Sequence, residues 1–508
     1  VDLATESMPL AQPLTRTDVI RCSRDTVLFE DYSVLNHEGA TWQWSFSPAP
    51  TYISDVNSRS PKVVFSANGP YDVTLTVTDL AGNTDTKTVE SMIVVDSQCE
   101  PEAGRGHSMR LTANGDIAQT PDFGLENIEE FTMSVWVKPE AIQNIYTGII
   151  ISDNSACGLN FRNNNEIGFH WDNSQWWWDS GLFAPVGEWT HLALVITPSE
   201  TTIYVNGESS VNTANNPLVD MTSFKFGSYH GWGGRNYNGE MDELCLWDRA
   251  LSSDEIRESR HLTRTGADSF SDGLLAYYQF NEIGESEVLD KVGSRHAQMN
   301  AGAFLQASNA PIGGGLSDRL VLSASGVYAF PDTQTEITLS SGVGARDVVV
   351  SRWDTNDVEA PDGEELVSNV WLINNYGDEF NTASTIRLST LGGVYSGSAS
   401  DSRLLSRPQN AGEGEWTERC SAATKTLSQF TFDSSCGFVD SGQFTIIAPA
   451  SCPGDLDGDG EVNVNDFILF NSAFGTSCSP CNADLDGDGL VGVNDFLFLN
   501  SFFGSTCN

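Results

Sequence analysis

The chain has 508 residues, 69 acidic against 26 basic, and a formal net charge of −43. That length exceeds a single core and suggests three to five domains. The charge disfavours nucleic acid and anionic membrane surfaces as partners, and no run approaches the roughly 20 apolar residues of a membrane span.

Val1-Asp2-Leu3 opens without a basic n-region or an apolar h-region, as expected of a mature or truncated end with no signal peptide. The ten cysteines fall into local pairs: Cys22–Cys99, Cys157–Cys245, Cys420–Cys436, Cys452–Cys478 and Cys481–Cys507. Each pair would lie inside one domain, as expected of disulfides in an exported, extracellular or cell-surface protein. No two-plus-two spacing suggests a zinc site instead.

Residues 1–18 read as an N-terminal segment. In 19–97, Tyr71, Val73, Leu75 and Val77 alternate with Asp72, Thr74, Thr76 and Thr78, the signature of a half-buried strand. Trp42, Trp44 and Phe46 alternate in the same way. The segments W-Q-W-S-F and G-P-Y-D-V-T-L-T-V-T-D-L-A-G-N-T resemble the PKD family of immunoglobulin-like modules, with Ser47-Pro48-Ala49 replacing the usual G-D-G. That resemblance implies a spacer or weak binding unit.

Residues 104–311 read as a second β domain. Its segments F-T-M-S-V-W-V-K-P, G-E-W-T-H-L-A-L-V, I-Y-V-N-G-E and N-G-E-M-D-E-L-C-L-W-D-R-A-L-S-S-D-E-I resemble the laminin-G-like, concanavalin A-like jelly rolls. Val205-Asn206-Gly207-Glu208 predicts a hairpin turn, and Ser252 with Glu255 a capping box. Trp171, Trp176, Trp177, Trp178, Tyr229 and Trp232 crowd predicted strand ends. Of these, Trp171, Trp177, Tyr229 and Trp232 are candidates for stacking on a glycan, against core filling as the plainer role. Asp242 with Asn114 or Asp116 is a candidate third calcium site, as related jelly rolls sometimes have. Glu240, Asp242 and Glu243 are the nearest approach to a glycosidase carboxylate pair, but strand alternation places Glu243 opposite the other two. No complete catalytic constellation is present. The expectation is therefore a chain that is not an enzyme, unless a catalytic domain precedes Val1.

Residues 312–450, between Gly313-Gly314-Gly315 and Ala448-Pro449-Ala450, predict an accessory β-sandwich with a loose likeness to those of bacterial surface proteins. Residues 451–508 hold a tandem repeat: Cys452–Ser479 and Cys481–Asn508 share 17 identities in 28 positions at a period of 29. Each copy carries a twelve-residue calcium loop, with acids at positions 1, 3, 5 and 12 and glycine at 6. In the first, Asp455, Asp457, Asp459 and Asp466 supply carboxylates, Glu461 its carbonyl, and Asn463 an amide oxygen or a water contact. In the second, Asp484, Asp486, Asp488 and Asp495 supply carboxylates and Leu490 its carbonyl. Four acids in twelve residues repel one another until a divalent cation relieves them, so binding should be coupled to folding.

These repeats resemble type I dockerin modules, where Asp closes each EF-hand-like loop and one helix follows. The resemblance implies two Ca²⁺ ions and a cohesin-like partner. The basic residues common in such recognition helices are missing, for no Lys or Arg follows Lys425. Phe467, Phe470 and Phe474 share one helical face, as do Phe496, Leu499 and Phe503, which predicts a core between the repeats or a self-association surface.

The fold expected is mostly β: tandem β-sandwich domains with a small α-helical module at the C-terminus. The function expected is a bacterial, secreted or surface-held calcium-binding adhesion or assembly protein, with glycans as candidate ligands of the jelly roll. Two rivals are the non-catalytic tail of a larger secreted hydrolase (a metalloprotease or glycanase) and the subunit of an extracellular filament or sheath.

Overall fold

A computed structural model describes residues 8–505 except 66, 172–177, 214, 230–233, 265–269, 283, 285, 301, 342–343, 355–357, 359–360, 362–365, 378–382, 392–394, 396–397, 413, 415, 427, 438–440, 449–453, 458–460, 478–482 and 486–488. Strands dominate, arranged as three successive sandwiches followed by a helical module. Among the described residues no helix is long and apolar enough to cross a membrane.

The first sandwich pairs the sheet Pro13–Thr15, Thr26–Asp31, Lys62–Val64, Tyr52–Ile53 with the sheet Val19–Ile20, Thr84–Val95, Gly69–Thr78, Thr41–Ser47. Tyr71, Val73, Leu75 and Val77 point inward onto Phe29, Trp44, Val63 and Phe65, as the alternation predicts. The described part of the N-terminal segment, from Met8 on, is not separate. Pro13–Thr15 pairs antiparallel with Thr26–Asp31, and Ala11 belongs to the core, because an otherwise bare sheet edge accepts another strand. Cys22 and Cys99 form a disulfide.

The jelly roll stacks an eight-stranded sheet on a seven-stranded one. At the centre of the first, Phe131–Pro139 lies between Thr190–Ile196 and Asn238–Trp247. The second runs from Ile167–His170 through Gly158–Phe161, Gly148–Ser152 and Phe224–Phe226. Phe131, Met133, Val135 and Val137 meet Leu159, Phe161, Phe169 and Phe226 in the shared core. The turn at Asn206-Gly207 joins Val205 to Glu208 with φ of 54° and 85° at its centre, which is why glycine stands second. Helix α1, Ser253–Ser259, opens with the reciprocal Ser252–Glu255 cap.

The third sandwich packs a six-stranded sheet (Gly315–Leu322, Arg346–Trp353, Val370–Tyr376, Gly442–Ile447, Arg403–Arg407, Thr417–Ser421) on a five-stranded one. Cys420–Cys436 is formed. This sandwich is docked firmly on the jelly roll. Arg257 on α1 pairs with Asp347 at 2.5 Å, and the buried Arg260 donates to Asn374 Oδ1 at 2.8 Å. The Trp353 indole N–H donates to the His261 carbonyl at 2.9 Å.

The expected Cys157–Cys245 disulfide is not made, and both thiols are buried. Cys157 packs in the core between the two jelly-roll sheets. Cys245 sits on the far face of the eight-stranded sheet, with Trp247, Tyr277 and Ile256 beneath α1. A sheet separates the two sulfurs. Cys452, Cys478, Cys481 and Cys507 lie outside the described residues.

In the terminal module, α2 (Val464–Ala473) and α3 (Val493–Phe502) each begin with the loop's closing Asp as third helical residue. Val462, Phe470, Ala483, Leu485, Val491 and Leu499 form a small core between the repeats. Only Phe470 and Leu499 of the six predicted face residues are buried there; Phe467 and Phe496 meet edge-on at 6.1 Å but stay partly exposed.

Candidate functional site

Two regions gather functional groups. The first is the loop before α2. Asp455, Asp457 and Asp466 each bring a carboxylate oxygen within 4.8 Å of the other two. Asp466 is fully buried, and its carboxylate accepts N–H groups from Leu456 (2.6 Å), Asp457 (3.1 Å) and Asn463 (2.8 Å). Those backbone bonds aim it at the other two acids. The second loop copies the arrangement: Asp495 accepts from Leu485 (2.6 Å) and Gly492 (2.6 Å), while Asp484 accepts from Gly489 at 2.9 Å.

Three convergent carboxylates are a hard-oxygen donor set, which fits calcium by chemistry and by loop length. Glu461 and Asn463 border the first site, and Leu490 the second. The side chain of Asn463 caps α2 by accepting from Asn465 at 2.8 Å. Asp459, Asp486 and Asp488 lie outside the described residues.

The second region lies on the outer face of the seven-stranded sheet. Leu159 and Phe161 point into the core, so the intervening Asn160 faces outward. Its cross-strand neighbours are Gly148 and Gly168. A Cβ on Gly168 would stand 2.6 Å from Arg162 Cγ, and one on Gly148 would stand 2.4 Å from the backbone of Ser228. The two glycines therefore let Arg162 and the 228–229 backbone descend beside the amide. Asn160 is 0% exposed, yet neither its oxygen nor its nitrogen has a hydrogen-bond partner. An unmet buried amide costs roughly 1–3 kcal/mol, so such a group asks for a ligand or a water.

Around it, Arg162 donates to the Tyr146 hydroxyl (3.2 Å) and pairs with Asp179 (3.0 Å). The Arg235 guanidinium stacks over Tyr146 at 5.0 Å and Tyr229 at 5.1 Å. The Tyr229 hydroxyl lies 3.2 Å from His170 Nδ1. Burial pushes the Tyr229 phenol up, with Arg235 opposing, so it stays a neutral donor at physiological pH. Two phenols, two guanidinium groups and a two-way amide suit a ligand rich in hydroxyls.

Of the aromatic residues singled out in the sequence, only Tyr229 is placed here. Trp171 is a correction: it is fully buried in the jelly-roll core, with its N–H on the Pro217 carbonyl at 3.0 Å. Trp177 and Trp232 lie outside the described residues. The sequence reading missed Asn160, Tyr146, Arg162 and Arg235. The available signal was a lone amide in the strand G-L-N-F, and it has meaning only once the flanking glycines are in register.

The proposed third calcium site is not assembled. Asp116 accepts from the Thr112 backbone N–H at 3.0 Å, while Asp242 accepts from Ser308 at 2.5 Å. Thr112 pairs with Asn238, four residues along the strand from Asp242, which puts about 13 Å between the two positions at ~3.3 Å per residue. Asn114 is exposed and donates to Thr112 at 3.1 Å.

The acids of Asn238–Trp247 need a second correction. Glu243 has φ of 51°, and the pairing slips between Ser134 and Trp136. This bulge returns Leu244 to the core beside Met241 and puts Glu243 on the same outer face as Glu240 and Asp242. All three acids are buried: Glu240 under Ser108 and Lys138, Asp242 under Ser308, Glu243 under Tyr277 and Gln279. Burial raises the Asp242 carboxyl well above its usual range, and raises Glu243 from 4.5 to about 7. They are packed beneath other chain segments, where no glycosidic bond could reach them. His191, also buried, has its pKa driven well down by desolvation and by Arg260 and Arg264, and its ring lies 5.4 Å from Trp136.

Comparison with known proteins agrees with this jelly roll. The profile of the concanavalin A-like lectin/glucanases superfamily, laminin G type, matches residues 112–257. That segment is a concanavalin A-like jelly roll. A candidate carbohydrate-binding protein from Bacteroides ovatus is similar at 14% identity and TM-score 0.35, over 60% of this chain and 95% of that one. Domain 4 of AbnA, a GH43 extracellular arabinanase from Geobacillus stearothermophilus solved with arabinotriose, is similar at 23% identity and TM-score 0.25, over 31% and 78%. A heptameric SAP-like pentraxin from Limulus polyphemus is similar at 15% identity and TM-score 0.28, over 40% and 95%. No curated protein matches the chain.

Proposed function

We propose that this chain is a non-catalytic, calcium-binding modular protein of the extracellular space, serving adhesion or assembly. The observation that carries this reading is the convergence of Asp455, Asp457 and Asp466 on one point, in a loop repeated 29 residues later. Calcium would be held by those carboxylates and by their counterparts Asp484 and Asp495. It would neutralise acids that otherwise repel, and so fix α2 and α3 against each other. The first sandwich then acts as a spacer of the PKD kind, and the helical pair as a dockerin-like attachment module. Chelator added to the full chain should abolish the hydrogen-exchange protection of the α2 and α3 amides and the separate melting step of residues 451–508, and added calcium should restore both. Unchanged protection and melting would remove the reading.

A glycan as ligand of the jelly roll is the second part of the proposal, favoured by the unpaired Asn160 amide beneath Tyr146, Tyr229, Arg162 and Arg235. Asn160→Leu should keep or raise the melting temperature, because a buried unmet amide is exchanged for an apolar group with the same branching. The same variant should lose binding on a glycan array by tenfold or more. Binding equal to wild type would exclude this face.

A further inference from the structure

The two helices of the terminal module are apolar nearly all round, a pattern that normally goes with burial on every side. Here α2 buries only Asp466 and Phe470, and α3 only Asp495 and Leu499. Each helix also turns a stripe outward, at the i, i+3, i+4 spacing of one face. On α2 it is Val464, Phe467 and Ile468; on α3 it is Val493, Phe496 and Leu497. Exposure matches from repeat to repeat: 59% and 64% for the valines, 39% and 37% for the phenylalanines, 61% and 60% for Ile468 and Leu497.

The two stripes are joined. Phe467 and Phe496, equivalent residues, meet edge-on at 6.1 Å. Reciprocal backbone bonds, from Gly504 to the Val462 carbonyl at 2.7 Å and from Gly475 to the Val491 carbonyl at 2.8 Å, relate the repeats by a local twofold. The result is one patch whose halves carry the same side chains. Asn471 and Asn500, both exposed, continue each stripe by one turn and give the patch an uncharged polar rim.

Area and charge say what fits it. The six side chains together expose on the order of 500 Å² of apolar surface, at the upper end of what a soluble monomer leaves open. Two copies meeting here would bury about 1,000 Å² between them, the lower bound for a specific interface, so their contact is weak and reversible. Neither helix contains Lys, Arg or Glu, and both their aspartates are buried. A partner recognised by charge finds none to pair with. Copies of a chain of net charge −43 repel one another, so they meet where charge is absent. An isologous contact needs one patch that complements itself, and halves that repeat the same side chains meet that need.

We propose that this patch pairs two copies of the chain in a closed dimer, α2 and α3 of one against α2 and α3 of the other. The pairing rests on the calcium reading of the loops, since both helices must be held in place, and it names a second copy as what the attachment module holds.

Sedimentation equilibrium of the full chain in calcium, over a range of concentrations, tests it. The average mass should rise from one chain to two and stop there. Added sodium chloride should tighten the dimer by screening the repulsion between acidic copies. Ile468→Asn combined with Leu497→Asn should weaken pairing by about tenfold or more. Both positions are exposed, so this variant should melt and bind calcium as wild type does. Leu497→Ile should pair normally, as should Val327→Asn, which changes an exposed apolar residue of the third sandwich. A wild type that stays monomeric at every concentration overturns the proposal and leaves the patch to a different chain. Mass climbing past two chains, weakening by salt, or normal pairing of the double variant overturns it too. Calcium titration of the same samples separates the two readings. Calcium heats with a monomer remove the dimer alone, and a dimer without calcium heats removes the calcium reading alone.

Discussion

Val462 and Val491, equivalent residues of the two terminal repeats, each hydrogen-bond to the end of the other repeat's helix. Val462 donates to the Ser505 carbonyl at 2.9 Å and accepts from Gly504 at 2.7 Å. Val491 donates to the Thr476 carbonyl at 3.0 Å and accepts from Gly475 at 2.8 Å. Both side chains are fully buried in one core. Each valine is the eighth residue of its own twelve-residue loop, so loop geometry in one repeat is tied to helix position in the other.

Truncation of either valine should therefore loosen both loops. Val491→Ala is expected to destabilise the module by about 2 kcal/mol, the order found for emptied aliphatic positions. It should also weaken cation binding in the first loop, which lies in the other repeat. Thermal melts of Val462→Ala, Val491→Ala and the double variant check this: shared coupling predicts a double-variant loss smaller than the sum. A simple sum would separate the repeats.

The buried acids under the jelly roll give a pH dependence. Glu243 is raised from 4.5 to about 7, chiefly by burial, with hydrogen bonds from Tyr277 and Gln279 opposing. Between those values the folded protein holds a proton that the unfolded chain has released. Stability should then fall as pH rises from about 4.5 through 7, and level off above. Asp242, raised by burial and by Glu243, acts in the same direction. Glu243→Gln should flatten the slope, read as melting temperature against pH.

The first sandwich meets the jelly roll through a histidine. His296 Nε2 lies 3.0 Å from Asp25 Oδ2, Lys291 donates to the Gln98 carbonyl at 2.7 Å, and Leu289 packs on the Cys22–Cys99 disulfide. Burial lowers the His296 pKa, but the hydrogen bond and charge of Asp25 outweigh it, and the net shift is upward. This contact should be fully present below pH 6.5 and lost as pH rises through the raised value. Proteolysis of the 98–104 segment should be slower at pH 5.5 than at pH 8, and Asp25→Asn should erase the difference.

The strand periodicities of the sandwiches were legible in the sequence, because a period of two in Tyr71–Val77 or Phe131–Val137 leaves one face for the core. The helical repeats were legible because acids and glycine recur at fixed loop positions. Two features were hidden by the third dimension. The Glu243 bulge adds one residue to a strand, which no alternation rule reports, and it reversed the face expected for that acid. Cys157 and Cys245 are local in sequence yet occupy opposite sides of a sheet. Asn160 was missed for a similar reason: its meaning comes from Gly148 and Gly168 on neighbouring strands.

The central claim is that the repeated acidic loops hold calcium, and calorimetric titration of the chelator-stripped full chain tests it most directly. The account predicts two saturable sites per chain in wild type, one in Asp466→Ala or Asp495→Ala, and none in the double variant. Heats no larger for wild type than for the double variant would contradict it.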